Sequence, residues 1–315
     1  MGRLFFCGEA LIDFVPVTAV DGRTLFDAKP GGSPFNAAKA AALAGGEVAF
    51  VGAVSTDFFG DMLIGDLAAA GVDCAAAARL DAPTTLAFVD LSGADPRYAF
   101  FNTGSATVRM APEAAALAAG PGDILNVGSI ALIEPPGADR ITEFALAVAE
   151  RALLCIDPNA RPEMIADHAA WARRIERLMA AAAIIRLSTE DIAAIAPGQG
   201  PNDFAAARLA AGAALVIVTD GAAGATAHTP AGRAHRPAPA VTLADAVGAG
   251  DVLNGAILAR LSALNLTGRD DLAGMDSAAL DDLLAHGVTA AAINCTRSGC
   301  APPTGAEIAA ARARR

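Results

Sequence analysis

Short runs of β-branched and aromatic residues alternate along this chain with alanine-rich stretches of helical length. That rhythm is the signature of β-α units stacked into a mostly parallel sheet, so the fold class is α/β. Strands are predicted at 4–7, 48–51, 124–127, 153–156, 184–187 and 215–219, and helices near 34–44, 136–151 and 249–261. Two segments, 14–29 and 84–101, break the rhythm. Both show strand-like alternation around turn residues, Asp21-Gly22 and Ser92-Gly93, with no helix between. They are expected to pair as a small antiparallel lid, the alternative being two surface hairpins without a role.

The composition narrows the classes. With 315 residues, 54% of them apolar and 18% charged, the chain can bury a full core and is not disordered. One domain over 1–315 with the lid as an appendage is expected. Apolar runs such as 180–185, bracketed by Arg177 and Arg186, fall short of the ~20 residues of a membrane helix. The N-terminus enters a strand directly, without a secretory or myristoylation pattern, and a cytoplasmic location is expected. Cys7, Cys74, Cys155, Cys295 and Cys300 are widely spread, with no Cys-x-x-Cys pair, and read as reduced core thiols. A net charge of −11 with no basic stripe, apart from Arg312, Arg314 and Arg315, argues against nucleic acid as a partner.

The sharpest chemical feature is Asp245-Ala246-Val247-Gly248-Ala249-Gly250-Asp251, running into the helical Val252-Leu253-Asn254-Gly255. A glycine-rich turn that opens a helix leaves its first amides free, and those amides with the helix dipole make an anion site. A carboxylate there repels a phosphate unless its task is to take a proton from an incoming nucleophile. The alternative is that Asp251 only caps the helix. A P-loop is excluded, because the only lysines, Lys29 and Lys39, are not preceded by glycine.

Four further segments carry candidate chemistry. In Gly31-Gly32-Ser33-Pro34-Phe35-Asn36, paired glycines precede a helix start, and the Asn36 amide suits vicinal sugar hydroxyls or else bonds its own backbone. Asp13 follows the first strand at the end where open α/β sheets bind ligands, and reads alternatively as a solvated loop acid. Asp157-Pro158-Asn159-Ala160-Arg161 packs an acid, an amide and a guanidinium behind another strand, as a site or as a self-bonded loop. Thr219-Asp220-Gly221-Ala222-Ala223-Gly224 ends a strand in a turn of the kind that lets a nucleotide lie on backbone, or in a plain turn.

Together and in this order these segments resemble the ribokinase-like family, also called the minor phosphofructokinase type, from Phe6 to about Pro303. Val51-Gly52-Ala53-Val54-Ser55-Thr56-Asp57-Phe58-Phe59-Gly60, trailing the glycine-asparagine segment, looks like the family's first diagnostic motif, and 245–251 looks like its second. The resemblance implies a three-layer sandwich with a small β lid, and transfer of the ATP γ-phosphate to a sugar hydroxyl with Mg²⁺. By position it implies Asp251 as the base, with Gly248 and the amides of Ala249 and Gly250 in the anion hole. It places Asp13, Gly31, Gly32 and Asn36 on the sugar, with Tyr98 and Phe100 covering it, and Asp157, Asn159 and Arg161 beside it. Ser188, Thr219, Gly221, Gly224 and Gly250 fall on the nucleotide, Asp191 on the metal, and Asp245 with Arg297 and Gly299 on a monovalent cation, K⁺.

The chain departs from the family pattern at three points. Ala246 stands for the usual Thr, Ser188-Thr189-Glu190-Asp191 stands for Asn-x-x-Glu, and Val288 falls where an adenine-side asparagine is common. Its motif spellings and the ending Cys295-Thr296-Arg297-Ser298-Gly299-Cys300-Ala301-Pro302-Pro303 look most like bacterial fructokinases, which implies fructose 6-phosphate as product. A 2-keto-3-deoxygluconate kinase is the alternative, with Arg161 gripping the substrate carboxylate. A nucleoside kinase is disfavoured by the few aromatics, and a non-catalytic sugar sensor by retention of Asp251. Exposed lid strands are edges that could pair across a homodimer.

Overall fold

A computed structural model describes residues 2–90 and 97–314; the Ser92-Gly93 turn lies outside the described residues. Thirteen strands occur among them: β1 (Leu4–Cys7), β2 (Leu11–Thr18), β3 (Thr24–Gly31), β4 (Val48–Ser55), β5 (Ala77–Leu80), β6 (Thr85–Asp90), β7 (Arg97–Phe101), β8 (Ile124–Gly128), β9 (Leu153–Asp157), β10 (Ile184–Ser188), β11 (Leu215–Thr219), β12 (Ala225–His228) and β13 (Arg233–Arg236). The helices are α1 (Ser33–Leu43), α2 (Phe58–Ala69), α3 (Ala106–Arg109), α4 (Gly137–Ala149), α5 (His168–Ala181), α6 (Thr189–Ile195), α7 (Pro201–Ala210), α8 (Ala249–Ala263), α9 (Arg269–Ala273), α10 (Ser277–Asn294) and α11 (Gly305–Ala313).

Nine strands form the central sheet in the order β13-β12-β11-β10-β9-β8-β1-β4-β5. All neighbours run parallel except β11–β12 and β12–β13, which are antiparallel. The near-continuous apolar spelling of β4, VAFVGAVS, is explained by burial along its whole length, since helices cover both faces of a parallel sheet. On one face Phe35, Leu63, Leu253, Ile257 and Leu284 from α1, α2, α8 and α10 pack on Leu4, Phe6 and Phe50. On the other, Ile141, Trp171, Leu178 and Phe204 from α4, α5 and α7 pack on Phe5, Leu125 and Val216. The three-layer α/β sandwich read from the sequence is present.

The lid is a separate four-stranded sheet, β3-β2-β6-β7. Both hairpins are antiparallel, as expected, but the β2–β6 pair that joins them is parallel, Leu11 facing Thr85 and Phe14 facing Phe88. The expectation of an all-antiparallel lid is corrected at that junction. Because β2 and β6 each emerge from the central layer, they enter the lid side by side in the same direction. The first diagnostic motif serves this junction: Asp57 caps α2 through the Gly60 amide at 2.8 Å and accepts from the Thr84 amide and hydroxyl at 2.9 and 2.7 Å, just before β6.

Candidate active site

The carboxyl ends of β1, β8, β9, β10 and β11 lie along one edge of the central sheet, where an open parallel sheet leaves its crevice. The starts of α1 and α8, which pack against one another, close over that edge. Gly248, with φ 72°, is the N-cap of α8 and offers no side-chain acceptor to the first turn. The Ala249 amide turns back to the Ala246 carbonyl at 3.2 Å, so the free amides are those of Gly250 and Asp251.

Asp251, the third residue of α8, is buried but does not cap its helix. Its Oδ1 accepts from the Ser33 hydroxyl at 2.7 Å and from Asn159 Nδ2 at 3.4 Å, and its Oδ2 accepts from Asn36 Nδ2 at 2.9 Å. The capping alternative is thereby set aside. Burial pushes its pKa up, and the bonds from Asn36 and Ser33, followed by the charges of Arg186 and Arg161, pull part of the way back. The result is a carboxylate held between two helices, with its pKa raised above the ordinary value.

The residues expected to hold the sugar lie around it. Asp13 lies directly against Gly31, where an added Cβ would stand 2.3 Å from Oδ2. Burial, then the charge of Asp251, raise the Asp13 pKa to about 6, with Arg161 acting the other way. Gly32, at φ 106°, lets the chain pass over Glu9, whose backbone oxygen would stand 2.8 Å from a Cβ there. On β7, Tyr98 and Phe100 stack at 5.9 Å, and Phe100 packs with Leu11, Ala87 and Ile130 to form an apolar wall. Asn159 holds a left-handed φ of 38° and takes the Arg161 Nη1 on its Oδ1 at 2.6 Å. Asp157 differs from its neighbours: it is 2% exposed, and its oxygens take Arg186 Nη1 at 3.1 and 2.9 Å and Asn254 Nδ2 at 3.3 Å. It lies under the site rather than in the crevice.

On the nucleotide side the structure divides the predicted residues. Thr219 Oγ1 accepts from Arg186 Nη2 at 2.9 Å at the mouth of β11. Gly221 is exposed, with φ 48° and open space around it, and so leaves backbone accessible. Gly224 is buried, and its missing Cβ makes room for the Arg236 carbonyl at the β12–β13 edge. Asp191 takes the Ser188 amide and hydroxyl at 2.7 and 2.9 Å as a capping box on α6, and the Ala160 amide at 2.6 Å. Asp245 bridges the Val247 and Gly299 amides at 3.0 and 2.9 Å, fastening the 245–250 turn to the loop after α10, while Arg297 turns to Ala301, Pro302 and Glu307. Val288 is buried in the core, but Thr289, Ala292 and Ile293 on the next face of α10, with Thr296 just past its end, line a cavity of about 330 Å³ with Val241.

Sequence reasoning missed three residues of this edge. Ser33 stands inside the glycine-asparagine segment, where its hydroxyl is a donor at a helix start. Glu9 is buried, with its carboxylate accepting the Ser33 amide at 3.1 Å and the Ala131 amide at 3.2 Å. Burial raises its pKa to about 7, against the bonds from Ser129 and those amides. Arg186 is a charged residue inside the apolar strand Ile-Ile-Arg-Leu-Ser, and that exception was its signal.

Free amides at the start of α8 stand beside a buried carboxylate that polar side chains of α1 and the loop after β9 hold in place. The chain belongs to the pfkB family of carbohydrate kinases, whose sequence pattern matches residues 1–306. It is 36% identical over 276 residues to a fructokinase of Rhizobium leguminosarum bv. trifolii, covering 87% of this chain and 84% of that one. The structure of a Xylella fastidiosa fructokinase with bound ATP matches with a TM-score of 0.89 at 26% identity, over 98% of this chain and 97% of that one. A Vibrio cholerae O395 fructokinase bound to fructose, ADP and a calcium ion matches with a TM-score of 0.84 at 27% identity, over 98% of both chains.

Proposed function

We propose that this carbohydrate kinase transfers the γ-phosphoryl group of ATP to fructose, giving fructose 6-phosphate and ADP. The observation that carries the reading is the Asp251 carboxylate, seated at the free-amide end of α8 and gripped by Ser33 and Asn36 from the sugar-side helix. The sugar hydroxyl gives its proton to Asp251 as its oxygen bonds to the γ-phosphorus. The bond from that phosphorus to the bridging oxygen of ADP breaks, and the amides of Gly250 and Asp251 face the charge that passes between them. Asp13 and Asn36 hold the sugar hydroxyls, and Tyr98 and Phe100 cover the ring.

Among the described residues, no group of three or more His, Cys, Asp or Glu side chains is placed to hold a metal. The Mg²⁺ of the reaction would be held mainly by nucleotide phosphates and water, where it would neutralise charge on the phosphates. A monovalent cation near Asp245 would bear on the turn that presents Gly248. The adenine is assigned to the cavity beside α10, because the Ala244 amide bonds the Cys295 carbonyl at 2.8 Å and so ties that helix to the anion turn. Five unpaired cysteines favour a reducing, cytoplasmic setting. The outer lid face exposes Phe26 and Phe101 around the Phe14–Phe88 stack, which favours a homodimer through the lid.

The test is ADP release with Mg-ATP and fructose, 2-keto-3-deoxygluconate, ribose or adenosine. Turnover with fructose supports the assignment. Turnover with the keto acid alone moves it to that substrate and gives Arg161 its carboxylate. Sugar binding with no turnover on any of them rejects the kinase reading in favour of a sensor. Light scattering on the wild type and on Phe101→Asp tests the dimer, which should dissociate in the variant.

A further inference from the structure

Arg186 has no assigned part in the chemistry, yet it sits where three strand ends and a helix start converge. From β10 its Nη1 reaches both Asp157 oxygens at the end of β9, and its Nη2 reaches Thr219 Oγ1 at the end of β11. A Cβ added to Gly250 would stand 2.6 Å from Nη2 and 3.1 Å from Nη1, so the guanidinium lies against the helix backbone just behind the free amides. Nε is buried and has no partner, so the fork is fixed by Asp157 and Thr219 alone. A Cβ at position 250 would therefore have to push the guanidinium off Asp157 or Thr219.

We propose that Arg186 is a positioning residue for phosphoryl transfer, adding a fixed positive charge behind the α8 amides and aligning the Thr219 hydroxyl towards the passing phosphoryl group. The inference rests on the kinase reading above. A cation locked in a dry site costs no reorganisation during the reaction, and it strengthens the field of the helix N-terminus where charge develops. Burial works against the charged guanidinium, but Asp157, Asp191 and Asp251 outweigh it, and the group stays ionised. It also opposes the upward push of burial on Asp251. The groups facing this pair are Asp157 and Cys155 from β9, Asp191 from α6, Asp13 from β2, Arg161 from the loop after β9, and Cys300 from the loop after α10.

The competing account is a strut, in which Arg186 only balances the buried Asp157. Three variants separate the two: Arg186→Lys, Arg186→Gln and Arg186→Gln with Asp157→Asn. Under our account turnover follows the cation at 186. The glutamine variant and the double variant both lose on the order of 10²-fold in kcat, the lysine variant loses less, and KM for fructose changes less than kcat in all three. Stability follows charge balance instead, so the double variant regains the melting temperature that Arg186→Gln loses. Recovery of kcat along with stability in the double variant would overturn the proposal. Should the double variant not fold, equal kcat per folded molecule for the lysine and glutamine variants would also overturn it. Wild-type fructose turnover, measured alongside, reports separately on the kinase reading.

Discussion

Two helices of this enzyme begin in the same way and do opposite work. α1 and α8 both start behind a glycine with positive φ, Gly32 at 106° and Gly248 at 72°, and neither has a side-chain cap. What differs is the charge beneath. Under α1 the Glu9 carboxylate takes the Ser33 amide, so the positive end of that helix is already answered by an acid. Under α8 the Arg186 guanidinium lies against Gly250, and the amides remain free. A glycine-led helix start is therefore not in itself a phosphate site. The buried partner decides whether it draws an anion or presents neutral hydrogen-bonding groups to a sugar.

Three changes test that contrast. The largest effect is expected from Gly250→Ala, which forces a methyl group into the guanidinium and should cost on the order of 10²-fold in kcat by displacing that charge and the turn that presents the amides. Steady-state kinetics check it, and a loss under about threefold would make the two helix starts equivalent. Next comes Glu9→Gln. In the folded chain Glu9 titrates at about 7 against a reference of 4.5, so the folded state holds a proton that the unfolded state releases. Its stabilising contribution is full below the unfolded value and fades as pH rises through 7. At about 1.4 kcal/mol per pH unit, wild-type stability relative to Glu9→Gln should fall by about 3 kcal/mol between pH 4 and 8. Urea titrations across that range measure it, and a flat difference would remove the acid from the account.

The smallest effect belongs to Asn36→Ala. Losing one hydrogen bond to Asp251 and one to the sugar should raise KM for fructose about tenfold. The acid limb of the pH-rate profile should also move upwards, because a bond that favoured the charged carboxylate is gone. An unchanged acid limb would mean that Asn36 contacts only the sugar.

Much of this was legible in the chain, for a physical reason. Asp251, Gly248 and Gly250 lie within one turn and one helix start, so their chemistry is local and shows as a motif. The six strands predicted as apolar runs all form. Glu9 and Arg186 are different, since each acts on residues far away in sequence, Ala131 and Ser33 for one, Asp157, Thr219 and Gly250 for the other. Only the stacking of β-α units brings them together. The parallel β2–β6 junction is hidden likewise, because two hairpins read alone do not show which strands will meet. Asp157 was found for the wrong reason: a charged residue at a strand end can serve the crevice or the charge beneath it, and spacing does not distinguish the two.

The most direct test of the account is the rate of fructose-dependent ADP release by Asp251→Asn beside the wild type, with fructose binding measured on both by calorimetry. The account predicts a fall in kcat of about 10²–10⁴-fold with binding retained, since the near-isosteric asparagine keeps an oxygen for the Asn36 amide and can donate its own amide to the Ser33 hydroxyl, but cannot take the proton. A variant that turns over within tenfold of the wild type would show that Asp251 is not the base.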